Sequence, residues 1–253
     1  MINLYDANNV FRRQLEDRMP KVGNTPRSVF LDAMNAKGTN IYVWDGYNHN
    51  ARRRNHFPGY KIRPPVAEDI YTGLGFLREV LAYTPAIQVE VPEWEADDVI
   101  GALARHYAEK GHEVTVHSND LDYFQLLSHD RIHLNGVTNP HKIPADYLPL
   151  FKTLVGDTSD KIPGIVGFGP GAFRDLEPSW NDLLDCFHQG TSFDHIPFKK
   201  SHKAWVAEND KLLRSYWTIV HLWPVDLGLI ESHTHIGIAN EAAGEALLRK
   251  YML

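Results

Sequence analysis

The stretch IQVEVPEWEADDVIGALARHYAEKG, residues 87–111, changes its periodicity halfway along. Ile87–Val91 is a short apolar, β-branched run and reads as a buried strand. From Ala96 to Lys110, Val99, Ile100, Leu103, Ala104 and Tyr107 recur at helical spacing, and Gly111 follows as a C-terminal stop. The same alternation extends outward. Ile2–Tyr5, Asn40–Trp44, Val114–His117 and Ile132–Leu134 read as further strands, and Val66–Ala82 as a second helix. Strands alternating with helices predict an α/β fold: a mostly parallel, twisted sheet flanked by helices. After about Ile143 the character changes to a Gly- and Pro-rich stretch, DTSDKIPGIVGFGPGAF, with helical segments around it. Two regions are therefore expected, 1–142 carrying the sheet and 143–253 carrying helices. The second ends in the helix-like KLLRSYWTIVHL and EAAGEALLRKYM.

Composition narrows the function classes. One cysteine, Cys186, excludes a disulfide framework and a thiolate metal cluster. The start, MINLYDANNVFRRQ, is not a signal peptide, and no run approaches the roughly 18 apolar residues of a membrane span. The expected location is the cytoplasm, with no membrane partner. The net charge of −6 argues against nucleic-acid binding when taken alone. The charge is unevenly distributed, however. Asp residues concentrate in short clusters, while positive charge collects in ARRRNHFPGYKIR (51–63) and FKKSHK (198–203). Bound divalent cations would cancel much of the acid.

Ligands of open α/β sheets bind outside the carboxyl ends of the strands, and the acids fall there. Asp6 closes INLYD and Asp45 closes IYVWD. Asp120 and Asp122 follow VTVHS, and Glu95, Asp97 and Asp98 open the helix after IQVEV. An extended D-L-D puts Asp120 and Asp122 on one face, and Glu95 and Asp98, three apart, share a helical face. Asp157 and Asp160 form a fifth group in DTSD. Carboxylates gathered in one cleft repel one another, and hard cations such as Mg²⁺ or Mn²⁺ relieve that repulsion. Each group also has a plain structural explanation: Asp and Glu favour helix starts, D-x-D is common in loops, and DTSD suits a polar turn. Strand-end placement of four of the five groups favours a metal site. Two further signals accompany it. In GIVGFGPGA (164–172), Gly164, Gly167 and Gly169 let backbone approach a phosphate closely. Arg52, Arg53, Arg54, Lys61 and Arg63 suit phosphates, and Tyr60 offers a stacking face to an unpaired base. The alternative for this last stretch is a solvated loop.

In this order, LYDANN, VWDG, YKIRP, EWEADDVIGALA, SNDLDYFQLL and LVGDTSDKIPGIVGFGPGA resemble the flap endonuclease and 5′–3′ exonuclease family. That family includes phage 5′-nucleases and the 5′-nuclease domain of bacterial DNA polymerase I. The resemblance spans roughly Ile2 to Ala172. It implies a PIN-like (resolvase-like) sheet domain and a C-terminal helix–hairpin–helix that holds duplex DNA, often with a monovalent cation such as K⁺ on its backbone oxygens. The metal-site acids carried over are Asp6, Asp45, Glu95, Asp97, Asp98, Asp120, Asp122, Asp157 and Asp160. Lys61 and Arg63 match basic residues flanking the scissile phosphate. Three departures stand out. Lys161 replaces the usual Asn, Gly171 takes the place of a hairpin Lys, and Tyr60 to Glu95 is short for a full helical arch.

The expected function is a 5′–3′ exonuclease or 5′ flap endonuclease of DNA replication or repair. It would use two Mg²⁺ or Mn²⁺ ions for in-line attack by metal-bound water, with Lys61 and Arg63 neutralising the phosphate. The expected partner is DNA with a 5′ end or flap, and the expected state is a monomer. A PIN-type ribonuclease shares the sheet and acids but usually lacks the glycine hairpin. A non-catalytic DNA-binding relative would have lost acids, and all remain. A small-molecule phosphatase would need a D-x-D after the first strand, where the chain has D-A-N.

Overall fold

The structure is a computed structural model that describes residues 1–17, 25–64 and 66–251. In chain order the first elements are β1 (Ile2–Asp6), α1 (Ala7–Asp17), α2 (Thr25–Met34), β2 (Thr39–Trp44), α3 (Ala51–His56), α4 (Glu68–Leu81), β3 (Ile87–Glu90) and α5 (Ala96–Glu109). There follow β4 (Val114–His117), β5 (Ile132–Asn135), α6 (Leu148–Val155), α7 (Pro170–Asp175), α8 (Trp180–Gln189), α9 (Lys200–Ile219), α10 (Leu227–Ser232), β6 (Thr234–Ile236) and α11 (Glu241–Tyr251). The chain forms two compact units. One comprises Met1–His49, Pro64–Thr138 and Trp223–Leu253; the other comprises Asn50–Arg63 and Asn139–Leu222.

The first unit holds a six-stranded sheet in the order β5-β4-β1-β2-β3-β6. Five strands are parallel, and only β6 runs antiparallel, against β3. The expected α/β architecture is thus observed. The sheet is covered on both faces at its centre, where β2 is buried from Asn40 to Trp44. Tyr42 and Trp44 pack with Ala7, Phe11, Leu74 and Leu77 on one side. On the other, α5 covers the sheet with Val99, Ile100 and Ala104, all fully buried. Strand order reverses at β1. The chain steps from β1 to β2 to β3, then returns through α5 to place β4 on the opposite flank of β1. Right-handed crossovers put helices before and after such a reversal on opposite faces, so the loops leaving β1 and β4 diverge and open a crevice. Asp6 ends β1, and Ser118 to Asp122 follow β4.

Gly46, just past β2, is required by contact: a Cβ there would lie 1.9 Å from the Val91 carbonyl oxygen. The tail, to which the sequence assigned no role, completes this unit. β6 adds an edge strand, and Leu248 of α11 joins Phe30, Phe76 and Val80 in a small core.

The second unit is helical; it takes in residues 50–63 and ends at Leu222, whereas the sequence reading places 143–253 in one region. Its centre is α6, LPLFKTLV, buried from Leu148 to Leu154. The hairpin between α6 and α7 closes through an Asp157–Ile162 antiparallel bridge and the Ile165 N–H bond to the Leu154 carbonyl at 2.8 Å. At Gly164, φ is +68° and a Cβ would sit 2.5 Å from the Gly156 nitrogen, so only glycine fits. Gly169 caps α7 in extended backbone, and Gly167 is exposed at the hairpin tip.

Candidate metal centre

Carboxylate oxygens of Asp97, Asp120 and Asp122 lie within 4.8 Å of one another in the first unit. Local structure puts them there. Asp97 stands in the first turn of α5, where the helix dipole favours an anion. Asp120 caps a 3₁₀ turn, Leu121–Leu126, and its Oδ1 accepts the Asp122 N–H at 2.9 Å. D-L-D is therefore not the extended pair expected; capping turns the backbone and still brings both acids to one point. Three hard oxygen donors at this spacing suit an oxygen-seeking divalent cation.

The remaining strand-end acids surround this group without belonging to it. Asp45 Oδ1 accepts the Ala96 N–H at 2.9 Å, which ties the end of β2 to the start of α5. Glu95 is buried, but it is the extended residue before the helix, with ψ 149°. It therefore does not share a helical face with Asp98 as the spacing suggested. Asp98 Oδ1 takes the Trp223 N–H at 2.7 Å, an anchor for the returning tail.

Asp6 is 4% exposed. Its Oδ1 accepts the Asn9 N–H at 3.1 Å, and its Oδ2 accepts the Ser118 hydroxyl at 3.0 Å. Burial pushes its carboxyl up to about 7, helped by Asp45 and Asp120 and opposed by the Asn9 and Ser118 bonds. The buried Tyr123 hydroxyl lies 3.2 Å from Asp6 Oδ2 and 2.8 Å from Asp97 Oδ1. Ser118 and Tyr123 escaped the sequence reading. Their only signal is adjacency to Asp120 and Asp122, since hydroxyls carry no charge pattern.

In the second unit, Asp157 and Asp160 have built-in cations. Lys152 Nζ lies 2.7 Å from Asp157 Oδ2, both nearly buried. Burial would raise the Asp157 carboxyl, but Lys152, Ser159 and the Asp160 N–H outweigh it and hold it down at about 2. Lys152, the one charge in an apolar helix, was also missed. Asp160 Oδ1 lies 3.6 Å from both Lys61 Nζ and Arg63 Nη2, and Arg63 also donates to the Ser159 carbonyl at 2.6 Å.

Two nucleic-acid assignments fail here. Tyr60, expected to stack on a base, is 2% exposed, with Arg53 and Lys61 near its ring and its hydroxyl 3.3 Å from Asp160 Oδ2. Arg53, expected at a phosphate, is buried and donates to the carbonyls of Ile219 and His221 at 2.9 and 2.8 Å. Arg54 is exposed but braces the Tyr60 and Lys61 carbonyls at 3.0 and 3.1 Å. Lys61 needs this bracing, since its φ is +45°. Arg52 is exposed.

Comparison with known proteins agrees with this architecture. A family model described as 5′-3′ exonuclease, N-terminal resolvase-like domain, matches residues 27–147. A 5′-3′ exonuclease of Aquifex aeolicus is 32% identical over 191 residues, covering 70% of this chain and 64% of that protein. A thermostable DNA polymerase I of Thermus aquaticus is 32% identical over 164 residues, 60% of this chain. The chain spans 20% of that polymerase's length, so only a part of it is matched. The structure of T5 5′-exonuclease with bound zinc superposes with a TM-score of 0.69 at 18% identity, covering 99% of this chain and 98% of that one. The T5 D15 protein co-crystallised with metal ions gives 0.70 at 18% identity, again over 99% and 98%. Residues 27–147 thus match the N-terminal resolvase-like domain of 5′-3′ exonucleases in sequence, and the chain shares the fold of T5 5′-exonuclease.

Proposed function

We propose that this chain hydrolyses DNA phosphodiester bonds near a 5′ end or flap, using divalent cations held by Asp97, Asp120 and Asp122. The convergence of those three acids at a strand-order reversal carries the reading. The fit is chemical: an all-oxygen donor set, beside an Asp6 whose carboxyl is raised by burial first and then by Asp45 and Asp120. Two Mg²⁺ or Mn²⁺ ions would supply Lewis-acid stabilisation of the phosphate as its charge grows. The protein's own contribution is orientation. Asp45 fixes the start of α5, Ser118 and Asn9 hold Asp6, and the capped turn aims Asp120 and Asp122.

Lys61 and Arg63 are proposed to neutralise the phosphate, and Asp157 and Asp160 to serve as further metal-site acids, on the strength of their motifs. Gly164, Gly167 and Gly169 are proposed to meet the duplex, with K⁺ on hairpin carbonyls and Arg52 reaching a phosphate. Support for DNA comes from relatives: one solved neighbour is described as a T5 D15 flap endonuclease complex with DNA and metal ions. No helix among the described residues is long and apolar enough to cross a membrane. A cytoplasmic monomer remains the expectation.

The test is digestion of 5′-labelled flap, nicked and blunt duplexes with Mg²⁺, Mn²⁺ or EDTA, alongside Asp122→Ala. Cleavage from the 5′ side that needs the metal and is lost in the variant supports the reading. Cleavage that survives either loss refutes it.

A further inference from the structure

Asp6, Asp97 and Asp120 are linked by a chain of hydrogen bonds that no direct ligand role explains. The Asp120 N–H donates to Ser118 Oγ at 3.1 Å. Ser118 Oγ donates to Asp6 Oδ2 at 3.0 Å. The Tyr123 phenol lies against the same Asp6 oxygen at 3.2 Å and reaches Asp97 Oδ1 at 2.8 Å. The chain of contacts thus runs from the turn after β4, through the end of β1, to the first turn of α5. Three segments remote in sequence are fixed to one another by two hydroxyls.

Tyr123 is fully buried, so its ring cannot touch a substrate. A phenol has one proton, and the shorter contact takes it. Asp97 thereby has one oxygen held by the phenol, and Asp6 Oδ2 lies close against the same hydroxyl without taking its proton. Asp6 itself is buried, already accepts Ser118 and Asn9, and is outside the group of three close carboxylates. Its hydrogen-bonded links to that group pass through Tyr123 and Ser118.

We propose that Tyr123 is a positioning residue of the metal centre: its hydroxyl, backed by Asp6, sets the Asp97 carboxylate against Asp120 and Asp122 and so sets divalent-metal affinity. This rests on the reading of those three acids as a metal site. Partners that orient ligating carboxylates typically change metal affinity or activity 10- to 100-fold, on the order of what is expected here.

The test is Mn²⁺ titration of the metal-free protein, followed by electron paramagnetic resonance, for wild type, Tyr123→Phe and Ser118→Ala. Tyr123→Phe keeps the ring and removes only the hydroxyl. Its expected effect is about tenfold or greater loss of Mn²⁺ affinity, with near-ultraviolet circular dichroism unchanged. Ser118→Ala is expected to act in the same direction and less strongly. In cleavage assays, the half-saturating metal concentration of Tyr123→Phe rises by a similar factor, while kcat at saturating metal stays within a few-fold. A residue that merely filled space would leave Mn²⁺ affinity unchanged in Tyr123→Phe. Wild-type affinity in a folded Tyr123→Phe protein overturns the proposal; should that variant not fold, wild-type affinity in Ser118→Ala does so. A wild type that takes up no Mn²⁺ removes the metal-site reading instead.

Discussion

At the carboxyl ends of β1 and β4, burial together with Asp45 and Asp120 pushes Asp6 up to about 7, whereas in the turn after α6 Asp157 is held down at about 2. Both carboxyls are buried, so desolvation acts the same way on each. What differs is the neighbour. Asp157 has Lys152 at 2.7 Å, and the groups that raise Asp6 beyond its burial are other acids. Both regions show the same dense Asp motifs in the sequence. The hairpin acids have a lysine or arginine of the chain beside them, whereas Asp6 has Asp45 and Asp120.

That contrast can be broken first at activity. Asp122→Ala should lower metal-dependent cleavage on the order of 10³-fold, since it removes a donor from ions that supply several kcal/mol of transition-state stabilisation. Equivalent cleavage rates for variant and wild type would remove the distinction between the two regions.

The next effect is on stability. Lys152→Ala leaves Asp157 buried without its cation, and breaking a buried pair in this way costs about 3–5 kcal/mol. Urea unfolding measures it, and Asp157→Asn in the same background should recover part of the loss. A Lys152→Ala protein as stable as wild type would mean that the pair is not the source of the low Asp157 value.

The two regions should also respond oppositely to pH in metal-free protein. Asp6 titrates higher in the folded state than in the unfolded chain, so its contribution is full below about pH 4 and is lost as pH rises through about 7. Asp157 titrates lower when folded, so its contribution is full above about pH 4 and is lost as pH falls through about 2. Each is worth on the order of a few kcal/mol. Unfolding free energies measured from pH 2 to 8 should lose the upper slope in Asp6→Asn and the lower slope in Asp157→Asn. Identical profiles would end the comparison.

The smallest effect sharpens the hairpin side. Lys161 has φ +62°, a left-handed backbone that side chains other than Asn and Gly resist. Lys161→Asn should raise thermal stability by about 0.5–1 kcal/mol, read from the unfolding midpoint. A lower midpoint would show that the lysine side chain stabilises by more than its backbone costs.

The parallel sheet was legible because five short apolar runs admit no other burial. β6 was not: Thr234, His235 and Ile236 form a partly exposed edge with no alternation to mark it. That Asp97, Asp120 and Asp122 converge was legible because the segments that follow parallel strands meet at one rim; that Asp45 and Asp98 accept backbone N–H groups was not. Tyr60 and Arg53 were misassigned because composition says that a guanidinium or a ring is present, not which carbonyl or carboxylate holds it. Ser118, Tyr123 and Lys152 were invisible for the same reason. Their roles arise from contacts between segments far apart in the chain.

The most direct measurement is calorimetric titration of metal-free protein with Mn²⁺ at neutral pH, comparing wild type with Asp97→Asn/Asp120→Asn/Asp122→Asn. Asn keeps the shapes and relieves the repulsion, so the triple variant should remain folded. Saturable binding in wild type that disappears in the triple variant is the predicted result. Equal binding by both proteins, or none by either, would contradict a cation site between the first turn of α5 and the turn after β4.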